Sequence, residues 1–170
     1  SLTEGGGDWG KRLGKDNVIN RGISGDVAMG IYDRLHQILP GKPKQIFLLI
    51  GVNDISHDLS TDSIVQMIEK NVTRIQRESP ETKLYLQSLL PIDESFNRYK
   101  KLTNKTYQIP EINDRLKALA KEKKIDFIDL YPLFTEKGTN VLRKELTYDG
   151  LHLKEEGYKI WVDAIKKKMK

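Results

Sequence analysis

The sequence predicts an α/β fold: one parallel sheet with helices covering both of its faces. Three observations carry that expectation. Short apolar runs recur along the chain, amphipathic stripes at helical spacing fall between them, and 170 residues are about one domain's worth of chain. The runs are Val18 with Ile19, Ile46 to Ile50, Lys83 to Leu90, and Ile125 to Leu130, and each predicts a strand. Between them, Ala28, Ile31, Leu35 and Ile38 predict a helix that stops at Pro40-Gly41. Ile64, Ile68, Val72 and Ile75 form a second stripe, opened by Ser60, Thr61 or Asp62 as N-cap and closed before Pro80. A third stripe joins Ile109, Ile112, Leu116 and Leu119, with Pro110 in its first turn, where a missing N–H costs nothing. Tyr158, Trp161, Ala164 and Ile165 predict a last helix from about Lys154 to the C-terminus.

Composition narrows the chemistry. Cysteine is absent, which excludes thiol catalysis, zinc fingers and iron–sulfur sites. No group of side chains has metal-ligand spacing, so neither a metal nor a cofactor is expected. The longest apolar run, Ile46 to Ile50, is far short of the roughly 20 residues of a membrane helix, so a soluble protein without stable membrane insertion is expected. The net charge of +5 arises in the second half, with Lys166, Lys167, Lys168 and Lys170 at the end of the last helix. Cations there suit the negative end of the helix dipole. Aromatic residues do not interleave with the basic ones, so a nucleic-acid partner is not expected. Composition leaves compartment and oligomeric state open.

In an open parallel sheet, ligands bind beyond the carboxyl ends of the strands. That rule directs attention to Arg21 to Asp26, Gly51 to Asp54, Pro91 to Glu94, and Tyr148 to His152. Asp149 and His152 are three residues apart, which lets a carboxylate reach the ring N–H and steady an imidazolium; a turn followed by a helix cap is the plainer alternative. Asn53, beside Gly51 at a strand end, suits an amide donor aimed at developing negative charge, or an ordinary Asn-Asp turn. Gly25 before a helix offers its N–H to an anion, or serves only as a turn glycine. Asp54, His57 and Tyr99 are candidate substrate contacts. Phe96, Tyr99 and Tyr107, in the long segment from Ile92 to Gln108, suit either stacking on a sugar or packing.

Taken in order, Asn20-Arg21-Gly22-Ile23-Ser24-Gly25, Gly51-Val52-Asn53-Asp54 and Asp149-Gly150-Leu151-His152 resemble the second, third and fifth sequence blocks of the SGNH (GDSL) hydrolase family. Ser1-Leu2-Thr3-Glu4-Gly5 is similar to the end of that family's first block, Gly-Asp-Ser-Leu, and the likeness extends to proteins resembling the platelet-activating-factor acetylhydrolase catalytic subunit. The resemblance implies a three-layer α/β/α sandwich of flavodoxin-like type. It also implies Ser1 as nucleophile, His152 as general base, Asp149 as its orienting carboxylate, and an oxyanion hole from the Ser1 and Gly25 N–H groups with the Asn53 amide. The reaction implied is cleavage of a small-molecule acyl ester through an acyl-serine, with a short-acyl lipid as one substrate; the short chain, with no long apolar stretch to serve as a lid over a lipid tail, favours a small acyl group, acetyl above all, on a sugar or other alcohol. The resemblance further implies a Gly-Asp and a strand ahead of Ser1, so residues 1–170 are expected to be a single such domain cut at its N-terminal edge.

Two other readings compete. Gly5-Gly6-Gly7-Asp8-Trp9-Gly10 satisfies G-x-G-x-x-G, which suggests a non-catalytic flavodoxin-like nucleotide-binding module. A serine at position 1 also suits a hydrolase that uses its own α-amine as base.

Overall fold

The computed structural model of the chain describes residues 1–169. In chain order the elements are α1 (Leu2–Gly5), α2 (Trp9–Leu13), α3 (Ala28–Arg34), β1 (Gln45–Leu48), α4 (Val52–Ser56), α5 (Thr61–Glu78), β2 (Lys83–Gln87), α6 (Gln108–Glu122), β3 (Asp126–Ile128), α7 (Tyr131–Phe134) and α8 (Glu155–Lys168). The strands form one parallel sheet in the order β1-β2-β3, with Gln45 opposite Lys83 and Tyr85 opposite Asp126.

Alternation along each strand separates two cores. Leu48, Leu84 and Leu86 point to one face, where they meet Ile64, Ile68, Val72 and Ile75 of α5 and Ile109, Ile112 and Leu116 of α6. Tyr85 and Ile128 point to the other, against Trp9, Tyr158, Trp161 and Ile165. This is the expected three-layer sandwich, and the period of two is what lets one sheet serve both layers. Burying each such Ile or Leu contributes roughly 1.5–3 kcal/mol. On the α8 face the aromatic packing is directional: Trp9 meets Trp161 edge-on at 5.1 Å and Tyr158 at 6.2 Å.

The local signals act where they stand. The Ser60 side chain accepts the Ser63 N–H and caps α5, and Lys166, Lys167 and Lys168 close α8. The strands are shorter than the apolar runs for a specific reason. Beyond Gln87, side chains replace the ladder. Ser88 Oγ accepts the N–H groups of Leu130 and Tyr131, while Asn113 of α6 accepts from Leu89 N–H at 2.7 Å and donates to its carbonyl at 3.0 Å. The stripe from Ala28 also leaves the α form at Leu35, continuing as two 3-10 turns to Gly41.

Two expectations are corrected. Val18 and Ile19 form no strand, because among the described residues no strand pairs with them; Ile19 is 76% exposed. The glycine-rich run spans the end of α1 and the start of α2, not the junction of a strand and a helix. Its glycines admit aromatic rings: a Cβ on Gly6 would lie 2.6 Å from Trp9, and one on Gly5 2.6 Å from the Tyr158 hydroxyl. The strand-to-helix setting that a phosphate-binding turn needs is not present in that run.

Candidate active site

The predicted residues fall in two hydrogen-bonded groups. The first surrounds residues 20–26. Asn20 donates to the carbonyls of Thr3 and Gly7, both at 2.9 Å, and accepts the Gly22 N–H at 3.0 Å, tying this loop to α1. Contact is close enough to require glycine at position 22, where a Cβ would lie 2.4 Å from the Glu4 nitrogen. The Ser1 amine donates to the Ile23 carbonyl at 3.3 Å. The same carbonyl accepts the Asp26 N–H, which closes a turn with Gly25 at its tip. Asn53, at the start of α4, donates from Nδ2 to the Asp26 carbonyl at 2.8 Å, which fixes the plane of its amide and leaves its other N–H for a ligand. Arg34 holds the Asp26 carboxylate at 2.7 Å. Ser1, Gly25 and Asn53 are thus gathered about one loop.

The second group is built on the segment before α8. Thr147 Oγ1 accepts the Gly150 N–H at 2.9 Å and donates to the His152 carbonyl at 2.7 Å, bending residues 147–152 into a tight loop. Gly150 has φ +90°, and a Cβ there would lie 2.3 Å from the Asp93 carbonyl oxygen. Asp149 then uses both oxygens. Oδ1 accepts the backbone N–H groups of Leu151 at 3.0 Å and His152 at 2.7 Å, and Oδ2 lies 2.8 Å from His152 Nδ1. Burial pushes the Asp149 carboxyl up, but hydrogen bonds from Tyr99, the His152 ring and these two N–H groups outweigh it and hold the group at about 2. The carboxylate is therefore ionised at neutral pH. His152 Nε2 has no hydrogen-bond partner among the described residues.

The structure brings Asp149 and His152 together as predicted. Among the described residues, no hydrogen bond joins the Ser1 hydroxyl to His152; Tyr158 of α8, the helix that follows the His152 loop, donates its hydroxyl to the Leu2 carbonyl at 3.0 Å. His57 is exposed at the end of α4, and no hydrogen bond ties it to either group among the described residues. Two placements bear on the candidate substrate contacts. Asp54 is fully buried, and both its oxygens accept the Ala28 N–H at 3.1–3.2 Å, so it anchors the start of α3. Burial pushes its carboxyl up, partly offset by that hydrogen bond. Tyr99 is at the site, but its hydroxyl is taken by Asp149 and His152.

Sequence reasoning missed Tyr148, whose ring stacks on His152 at 6.1 Å and 15° and is 61% exposed, and Thr147. A threonine two residues before Asp149 is a legible loop signal; the stacking is not, because it depends on how the loop folds. Among the described residues no three His, Asp or Glu side chains gather as a metal would need, and no helix is long and apolar enough to cross a membrane.

With this geometry in hand, comparison with known proteins is direct. The model of the GDSL-like Lipase/Acylhydrolase family matches residues 1–160. The chain belongs to that family. Membership in the GDSL-like family places it among the carboxylic-ester hydrolases. This GDSL-like chain is similar to a GDSL-like lipase from Bacteroides thetaiotaomicron, 26% identical at a TM-score of 0.87 over 99% of this chain and 83% of that one. It is also similar to a Streptococcus pneumonia protein provisionally described as a platelet activating factor, 27% identical at a TM-score of 0.88 over 100% and 80% of the two chains. A curated relative, N-acylneuraminate cytidylyltransferase of Escherichia coli O18:K1:H7, is 25% identical over 158 residues; the match takes in 91% of this chain but only 36% of that protein.

Proposed function

We propose that the chain removes a short acyl group, acetyl above all, from an alcohol through an acyl-serine intermediate. The observation that carries this reading is the Asp149–His152 pair, with Nδ1 held at 2.8 Å by an ionised carboxylate and Nε2 left as the base. In this reading the Ser1 hydroxyl gives its proton to His152 Nε2 as its oxygen attacks the ester carbonyl. The tetrahedral oxyanion takes hydrogen bonds from the Gly25 and Ser1 N–H groups and the Asn53 amide. Collapse expels the alcohol, which takes the proton back from His152. Water then repeats the sequence and frees the acid.

An acetylated sugar is the favoured alcohol side. The exposed Tyr148 ring, parallel to the imidazole, offers a flat apolar face beside the base, the surface on which a sugar ring stacks. The curated relative is named for a sugar acid, N-acylneuraminate, which supports a sugar on the alcohol side. A second reading, a short-acyl lipid, is supported by the streptococcal relative and by the exposed apolar side chains of Ile19 and Ile23 beside the Ser1 loop.

The decisive measurement is hydrolysis of p-nitrophenyl acetate by the parent, Ser1→Ala and His152→Ala proteins. Losses of roughly 10³-fold or more are expected in each variant. Rates within tenfold of the parent in both would remove the triad from the reading. Acetylated sugars and short-acyl phospholipids, compared by kcat/KM, separate the two alcohol classes.

A further inference from the structure

Tyr99 is the one side chain from outside the 147–152 loop that hydrogen-bonds the Asp149–His152 pair among the described residues. Its hydroxyl lies 2.5 Å from Asp149 Oδ2 and 2.8 Å from His152 Nδ1, while those two atoms are themselves 2.8 Å apart. Three polar atoms thus form a closed triangle, and counting protons fixes who donates to whom. The carboxylate has none to give. If the phenol proton pointed to Nδ1, the phenol and carboxylate oxygens would face each other at 2.5 Å with no hydrogen between them. The phenol must therefore donate to Oδ2, and the ring must carry its proton on Nδ1, shared between the carboxylate and the phenol oxygen. That leaves the lone pair on Nε2.

The triangle is held from behind. Tyr99 starts the 3-10 turn Lys100–Leu102, which is anchored by buried Leu102, and its ring meets the imidazole edge-on at 5.7 Å. We propose that Tyr99 is a positioning residue of the catalytic pair: it selects the productive imidazole tautomer and tempers the basicity of His152 by sharing the carboxylate oxygen that steadies the imidazolium. This rests on the hydrolase reading above. Oδ1 already accepts two backbone N–H groups, so the phenol takes a full share of the remaining oxygen. Burial, followed by the Asp149 hydrogen bond and charge, pushes the phenol well above its ordinary value, so it remains a donor through the working range. The ionisable groups placed about the triangle are Asp149 and Tyr148 from the imidazole's own loop, and Tyr99 with its neighbour Arg98 from the segment after β2; Asp93 and Glu94 line a small cavity together with Tyr99 and Asp149. Of these, Tyr99 and Asp149 hydrogen-bond to the ring.

Replacing Tyr99 with Phe keeps the ring and removes the oxygen. The imidazolium loses the phenol oxygen as a second acceptor but gains the undivided Oδ2, and because a charged carboxylate is the stronger acceptor, the proton on His152 is held more tightly. The imidazole titration of the full chain, followed by NMR, should move upward by about half a unit to one unit in Tyr99→Phe, and the acid limb of kcat/KM on p-nitrophenyl acetate should move with it. On the plateau, kcat should fall about 3–10-fold with KM within twofold. A raised KM with an unmoved titration would make Tyr99 a substrate contact and overturn the proposal. So would an unmoved titration with unchanged kinetics. The NMR titration needs no turnover, so it tests the triangle even if His152→Ala shows that the hydrolase reading itself fails. Tyr99→Leu, which also removes the edge-on ring, should shift the titration in the same direction; a downward shift in either variant contradicts the sharing of Oδ2.

Discussion

Replacing Asp149 with Asn tests the site at its most constrained point. The new amide oxygen can keep the positions of Oδ1 and accept the Leu151 and His152 N–H groups at 3.0 and 2.7 Å, so the loop retains its frame. The amide NH₂ then falls where Oδ2 met His152 Nδ1 at 2.8 Å. Two N–H groups cannot face each other there. The imidazole must release its Nδ1 proton and carry one on Nε2 instead, the atom proposed as the base. Inversion of the tautomer predicts a fall in kcat of roughly 10³–10⁴-fold, or about 4–5.5 kcal/mol of barrier at 1.36 kcal/mol per tenfold. Exchanging charge-assisted for neutral hydrogen bonds costs about 1–2 kcal/mol of stability, a melting point lower by a few degrees in a domain of this size. The assay is steady-state hydrolysis of p-nitrophenyl acetate at neutral pH, with a circular-dichroism melt on the same sample. A variant that melts as expected but keeps kcat within tenfold of the parent would show that Asp149 does not set the tautomer.

Other perturbations follow from the same geometry. Gly150→Ala places a Cβ at φ +90° and 2.3 Å from the Asp93 carbonyl, so it should destabilise by at least about 2 kcal/mol; a melting point within a degree of the parent would contradict this loop geometry. Asp54→Ala leaves the Ala28 N–H buried without an acceptor, costing about 1–3 kcal/mol with KM for acetyl esters unchanged. A raised KM at an unchanged melting point would return Asp54 to substrate binding. Asp149 stands at about 2 in the fold against an ordinary 3.8, so its stabilising contribution is present above pH 4 and is lost as pH falls toward 2. Acid unfolding of Asp149→Asn should therefore be shallower over that interval, and parallel curves for the two proteins would refute the depressed carboxyl.

Much of this was legible in the sequence because the signals are local. The stripe Ile64, Ile68, Val72 and Ile75 repeats at the pitch of a helix, and Ser60 caps it in place. The segment Asp149 to His152 likewise carries its own geometry, since a carboxylate three residues before a histidine meets both the backbone and the ring of one turn. Val18 and Ile19 read as a strand because apolar character is a property of the residues, whereas pairing is a property of a neighbour. Asp54 stands beside Asn53, and one residue's step along α4 turns its side chain into the core, where the start of α3 supplies its partner. No reading of residues 51–54 contains that helix.

The sequence by itself determined the class of fold, the helices with their caps, and the pairing of Asp149 with His152, because periodicity, capping and short-loop hydrogen bonding act within a few residues. Tertiary structure alone decided which strands pair, which polar side chains are buried, and that Tyr99 from one loop closes a triangle with Asp149 and His152, fifty residues and more along the chain. A hydrogen bond between distant segments depends on where packing brings them, and that position is written in neither segment alone.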